Sequence, residues 1–184
     1  GSPKDVTLRG ELFDVRTVRV WLETLISVPV FYLAASFSAS AAVRDAHTTT
    51  CAGLVLINPI LDYAGIFVRG ESDWGAKVVS SYRDSAFAEG DIVGRLPGND
   101  YVVTTRLLEE IKSDATLDRV RNTTVPTLIF HGSADTLVPV DPVLVLQGKD
   151  SIVDVVIYEG GRHGLKEFRP DLMDRTERWL LEHA

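Results

Sequence analysis

The chain has 184 residues and 20.2 kDa, with 45% hydrophobic and 24% charged residues, which excludes wholesale disorder and repetitive fibrous folds. A single domain of this length buries roughly 70% of the surface its unfolded chain exposes, so it can build a core without covalent staples. With 19 Lys and Arg against 26 Asp and Glu the formal net charge is −7, and without a basic cluster a nucleic-acid partner is not expected.

The lone cysteine, Cys51, rules out an internal disulfide and a cysteine-based zinc cluster. It lies in the apolar run CAGLVLI and reads as core packing. No apolar stretch approaches the roughly 18 residues of a membrane span. The N-terminal GSPKDVT lacks the apolar centre of a signal peptide, so a cytoplasmic location is the expectation.

Apolar residues at Leu12, Val15, Val18, Leu22 and Leu25 fall three and four apart, which predicts a helix between Leu12 and Ile26. The continuous run Val30–Ala35 is too short for a buried helix and predicts a strand covered on both faces, as in a parallel sheet. Ala39–Ala46 is alanine-rich and predicts a helix. Further buried strands are expected at Leu54–Ile57, closed by Asn58-Pro59, at Val125–Phe130, stopped by His131-Gly132, and at Ile152–Tyr158, stopped by Gly160-Gly161. Pro170 opens a last amphipathic helix.

Strands alternating with helices predict one α/β domain over 1–184 with a parallel sheet. Between Leu61 and Arg121 no strong strand is visible. Turns at Gly90-Asp91 and Pro97–Asp100 and a helical patch at Val102–Ile111 suggest an inserted lid, 62–118, over the sheet edge.

The stretch VFYLAASFSASAA is a strand, a turn with serines and a helix. In a nucleophile elbow, a serine on a strained strand-to-helix turn needs small residues two before and two after it, usually glycines. Two frames fit here. Ser36 has Ala34 and Ser38 as its small neighbours, whereas Ser38 has Ser36 and Ser40. Ser36 is preferred because it follows directly on the strand and leaves Ala39 onward for the helix. Both frames lack the glycines, and serines capping an alanine-rich helix would look the same.

Two further loops change the weighting. Asp135 lies in HGSADTLVP, just past the strand VPTLIF, and His163 lies between glycines in EGGRHG, past the next strand. An aspartate there can hold the histidine's Nδ1–H, leaving the other nitrogen to act as base. The order Ser, Asp, His, each after a strand, is the one expected for an α/β-hydrolase arrangement. His131 reads as support for the aspartate loop, His47 and His183 as solvated, and Asp141, before Pro142, as a helix cap. No metal-ligand spacing and no phosphate-binding glycine loop is visible, so neither a metal nor a cofactor is expected.

In AASFS, HGSADTLVP and EGGRHGL the chain resembles the α/β-hydrolase superfamily. A closer resemblance is to the fatty-acyl transferases (acyl-protein thioesterases) of bacterial luminescence operons, which also replace the elbow glycines by alanine and serine. LAASFSA looks like their nucleophile segment, and Thr7 followed by Trp21-Leu22 matches their opening. HGSADTLVP is more similar to general esterases, including feruloyl and cinnamoyl esterases with an inserted lid. The resemblance implies Ser36 as nucleophile, His163 as base, Asp135 as orienting acid and the Phe37 N–H as an oxyanion donor. The implied substrate is a small acyl ester or thioester, free or on an acyl carrier. Lid aromatics, Tyr63, Phe67 and Trp74 among them, would wall the acyl group.

Only 35 residues precede Ser36, room for one helix, whereas enzymes of this fold carry several strands before the elbow. The expectation is therefore that N-terminal strands are missing, that Gly1-Ser2 belongs to a Gly-x-Ser loop before the helix, and that a companion chain or fragment completes the sheet. A non-catalytic hydrolase-like fragment or scaffold is the alternative.

Overall fold

Helices α1 (Leu8–Glu23) and α2 (Ala39–Ala46) flank strand β1 (Phe31–Ala35), and β2 (Gly53–Ile57) follows. Then come α3 (Asp73–Arg83), β3 (Ile92–Arg95), β4 (Val102–Thr104), α4 (Thr105–Lys112) and α5 (Thr116–Arg121). The chain ends with β5 (Thr127–Gly132), α6 (Asp141–Leu144), β6 (Val153–Tyr158) and α7 (Arg169–His183). This computed structural model describes residues 5–83, 92–96, 101–148 and 152–184. Gly1-Ser2 and the turns at Gly90-Asp91 and Pro97–Asp100 lie outside them.

Four strands form a parallel sheet in the order β1-β2-β5-β6. Side chains alternate across it, as the strand period of two requires. Leu54, Leu56 and Ile129 pack with Val43, Ala46, Val120 and Val143 of α2, α5 and α6. Val55, Leu128 and Phe130 face the other way, toward Leu172 and Trp179 of α7. Helices thus cover both faces, and each buried Leu or Ile contributes about 1.5–3 kcal/mol.

A third apolar cluster joins Leu8 of α1 to Ile60, Tyr63, Phe67, Val78, Leu107 and Val138. Phe37 packs against this cluster, so it sits at the carboxyl ends of the strands.

Several expectations change. Leu33 is 60% exposed, so β1, at the edge of the four described strands, is not covered on both faces. The expected stripe is exposed at Val18, and Leu25 lies beyond the end of α1; the helix is held by Leu8 in the core and by Arg16 and Arg19, which bind the buried Asp45 of α2. His131 and Gly132 belong to β5 instead of ending it, because they continue its pairing with β6. The region between Leu61 and Arg121 does contain strands, the antiparallel pair β3 and β4. Val102–Thr104 is therefore strand, and Thr104 caps α4 through its hydroxyl. Asp141 is the first residue of α6 and makes no side-chain cap. Cys51 is only partly buried at the margin of the core.

Candidate active site

The turn after β1 holds Ser36 at φ +53°, a left-handed conformation that costs a non-glycine residue roughly 1–2 kcal/mol. Bonds to the segment after β2 fix that turn. Ile60 N–H donates to the Ser36 carbonyl at 3.0 Å. The Tyr63 hydroxyl donates to the Phe37 carbonyl and accepts from Ser40 N–H. Phe37 opens the first turn of the helix, where amides lack intrahelical acceptors and are available to an anion. Ser38 is solvent-exposed and stands at the N-cap of α2.

Asp135 and His163 are brought together. His163 Nδ1 and Asp135 Oδ2 are 2.7 Å apart, with the carboxylate buried and the imidazole about a quarter exposed. The other carboxylate oxygen accepts Leu137 and Val138 N–H at 2.9 and 3.0 Å. Burial pushes the Asp135 pKa up, but the His163 bond and the two amides outweigh it and hold the carboxylate below its usual value. An ionised carboxylate only accepts hydrogen bonds, so Nδ1 is the donor of this pair and Nε2 lies on the far side of the ring.

Asn58 is the residue sequence reasoning passed over as a strand terminator. It is buried at φ +43°, donates Nδ2–H to Asp135 Oδ2 at 2.8 Å and accepts Gly164 N–H on Oδ1 at 3.2 Å. It therefore ties the end of β2 to both the aspartate and histidine loops. Its position after a strand was visible, but its partners lie 77 and 106 residues away.

The two loops also meet through backbone. Ser133 N–H donates to Tyr158 and Ala134 N–H to Gly161. A Cβ on Gly132 would fall 2.1 Å from the Gly161 carbonyl oxygen, so only glycine fits that crossing. His131 is fully buried, with Nε2 3.1 Å from the Val138 carbonyl, and burial lowers its pKa and keeps it neutral. His47 and His183 approach main-chain carbonyls one helical turn back, far from the loops in sequence.

A cavity of about 360 Å³ opens beside Ser36, lined by Phe37, Ile60, Trp74, Val102, Leu107 and Glu11. Of the three aromatics expected in its wall, Trp74 lines it. Tyr63 and Phe67 are buried instead, Phe67 touching Phe37, Tyr63 and Trp74 ring to ring. Their apolar rings are better satisfied in the cluster than facing an open cavity. Among the described residues no hydrogen bond joins the Ser36 hydroxyl to His163, no group of three or more His, Cys, Asp or Glu could hold a metal, and no helix is long and apolar enough to cross a membrane.

A parallel sheet covered by helices on both faces is the α/β-hydrolase arrangement, and solved structures share the fold. A monoacylglycerol lipase of Paleococcus ferrophilus matches with TM-score 0.64 at 13% identity, over 98% of this chain and 77% of its own. Est1E of Butyrivibrio proteoclasticus, solved with ferulic acid bound, matches with TM-score 0.71 at 17% identity, over 98% and 70%. The esterase domain of a Rhodothermus marinus protein matches with TM-score 0.61 at 17% identity, over 88% and 64%. No family model and no curated protein matches the sequence.

Proposed function

We propose that this protein is a serine hydrolase that cleaves a small carboxylic ester or acyl thioester through an acyl-enzyme. The supporting observation is the 2.7 Å Asp135–His163 pair set at the same sheet edge as the strained Ser36 turn, with a cavity beside it. Ser36 attacks the acyl carbonyl. His163 takes its proton through Nε2 and returns it to the leaving group. Asp135 holds the imidazole and stabilises its charged form. The Phe37 N–H faces the developing oxyanion.

The cavity lies near the small end of the roughly 300–1,000 Å³ range of ligand sites. That favours a short chain or a single ring over a long fatty-acyl chain. The segment 62–118 acts as a lid, Trp74 supplying its apolar wall; the ferulic acid in the structural neighbour is in keeping with a ring-sized acyl group. Transfer to an acceptor, or acyl delivery by a carrier protein, draws support from LAASFSA, the segment similar to luminescence-operon acyl transferases.

A second reading, a non-catalytic scaffold completed by a companion chain, is favoured by exposed Leu33 on the edge strand and exposed Phe13 and Trp21 on α1. Fluorophosphonate labelling separates the two. Labelling of the protein that Ser36→Ala abolishes supports the enzyme; labelling absent, or unchanged in Ser36→Ala, overturns it. Parallel assays with an acyl ester and its thioester analogue then set the leaving group.

A further inference from the structure

Between Ser36 and α2 a side chain from another segment enters the helical ladder. The Phe37 carbonyl and the Ser40 N–H are three residues apart, a pair that a 3₁₀ turn joins directly. Here the Tyr63 hydroxyl bridges them, accepting Ser40 N–H at 3.1 Å and donating to the Phe37 carbonyl. Ser40 is anchored in turn. Its hydroxyl donates to Asp114 Oδ1 at 3.0 Å, and the other oxygen of that carboxylate accepts Thr116 N–H at 2.9 Å. Three segments far apart in the chain thus meet behind the serine turn. Ser40 and Tyr63 are both buried, and Tyr63 is not part of the wall of the cavity beside Ser36, so no group bound there touches its hydroxyl.

We propose that Tyr63 is a positioning residue for acyl transfer: its hydroxyl, braced by Ser40 and Asp114, holds the turn that presents the Ser36 hydroxyl and the Phe37 N–H to the acyl carbonyl. The inference rests on the hydrolase reading above for the reaction, whereas the hold on the turn does not need turnover. Ser36 is left-handed at φ +53°, so its turn does not keep that shape unaided. Two successive carbonyls are pinned from outside it. Ile60 N–H holds the carbonyl of Ser36, which shares a peptide plane with the Phe37 N–H, and Tyr63 holds the carbonyl of Phe37. Fixing both sets the direction of the amide between them. The Tyr63 ring is itself confined, edge-on to Phe37 at 5.4 Å and stacked on Phe67 at 6.4 Å, which leaves its hydroxyl little freedom. A reacting group displaced by about 1 Å costs up to about a hundredfold in rate.

Tyr63→Phe tests this, since it keeps the ring and removes the hydroxyl. With 4-nitrophenyl acetate as probe it should lower kcat about ten- to a hundredfold and leave KM within about threefold, because no substrate contact is lost. Inhibition by butylboronic acid, which adds to Ser36 Oγ as a tetrahedral anion, should weaken by about the same factor as kcat. Ser40→Ala cuts the link to Asp114 but leaves the Tyr63 bonds, and should lower kcat by a smaller factor, about threefold. A folded Tyr63→Phe protein with kcat unchanged, with a rise in KM alone, or with boronate inhibition unchanged overturns the proposal, the hydroxyl then serving only the stability of the fold. Should Tyr63→Phe fail to fold, Ser40→Ala decides, and a kcat equal to that of the unmodified protein overturns the proposal. Hydrogen exchange supplies a reading free of turnover. The backbone amides of 36–40 should exchange about tenfold faster in Tyr63→Phe, the factor expected for one lost hydrogen bond, and an unchanged rate overturns the proposal. If the unmodified protein does not hydrolyse the ester while exchange rises in the variant, the hydrolase reading fails and the hold of Tyr63 on the turn stands.

Discussion

Asn58 donates its side-chain N–H to Asp135 Oδ2, the same carboxylate oxygen that meets His163 Nδ1. One buried amide thus sets the carboxylate plane on which the imidazole rests, and its carbonyl oxygen holds the histidine loop through Gly164. Asn58→Gly keeps the positive φ without strain but removes both bonds. It should lower kcat about tenfold or more with little change in KM, because orientation of His163, not substrate contact, is lost. Asn58→Asp places a second carboxylate against Asp135 and should be less stable at pH 8 than at pH 5, since protonation relieves the repulsion. Thermal unfolding at both pH values checks the second, and equal losses would refute it.

Asp135 is held below its usual pKa of 3.8, its hydrogen bonds outweighing burial. A carboxylate whose folded-state pKa is depressed stabilises the fold above its unfolded value and loses that contribution as pH falls through the folded value. Asp135→Asn should therefore cost stability at neutral pH, and the deficit against the unmodified protein should shrink below about pH 4. Denaturant titrations across acid pH measure it; a deficit constant with pH would mean that packing, not charge, is what the carboxylate supplies.

Glu11 has the opposite sign. Burial raises its pKa from 4.5 to about 7, so its stabilising state is the protonated one, complete below the unfolded value and lost as pH rises toward the folded value. Glu11→Gln should raise Tm more at pH 8 than at pH 5. A larger gain at pH 5 would contradict the burial of this carboxyl.

Ser36 combines a reactive hydroxyl with a left-handed backbone. Ser36→Ala keeps the strain, whereas Ser36→Gly releases it, so the glycine variant should be the more stable by about 1 kcal/mol. Both should be inactive in ester hydrolysis. Equal stability of the two would show that the turn is not strained.

Gly132 admits no side chain because the Gly161 carbonyl lies where its Cβ would be. Gly132→Ala must push apart the loops bearing Asp135 and His163, costing about 1–3 kcal/mol and at least tenfold in kcat. Full activity in this variant, measured under conditions where it is folded, would show that the loops move without consequence.

The local sequence determined the four strands of the parallel sheet, though not the pair β3 and β4, and the order of chemistry along the chain. Runs such as GLVLI and TLIF are β-branched and apolar on both sides, and only a covered parallel sheet makes use of them. Ala39–Ala46 matched its helix to the residue, because alanine propensity needs no partner. The loops bearing Asp135 and His163 were legible as polar, glycine-flanked ends of strands, and the fold brings those two side chains together. What only tertiary structure decided depends on residues far apart in the chain. Leu33 looked like core but is 60% exposed, since what covers a strand's face is a property of the packed fold and not of the strand. Tyr63 looked like a cavity wall but turns inward, because the Phe37 carbonyl and Ser40 amide give its hydroxyl partners in the elbow. Asn58 and Gly132 were legible only as strand ends, and Glu11 carried no local pattern. Their significance comes from an aspartate, a carbonyl and a cavity that long-range packing sets beside them, and the free energy of such contacts is invisible until the chain has closed the loops that make them.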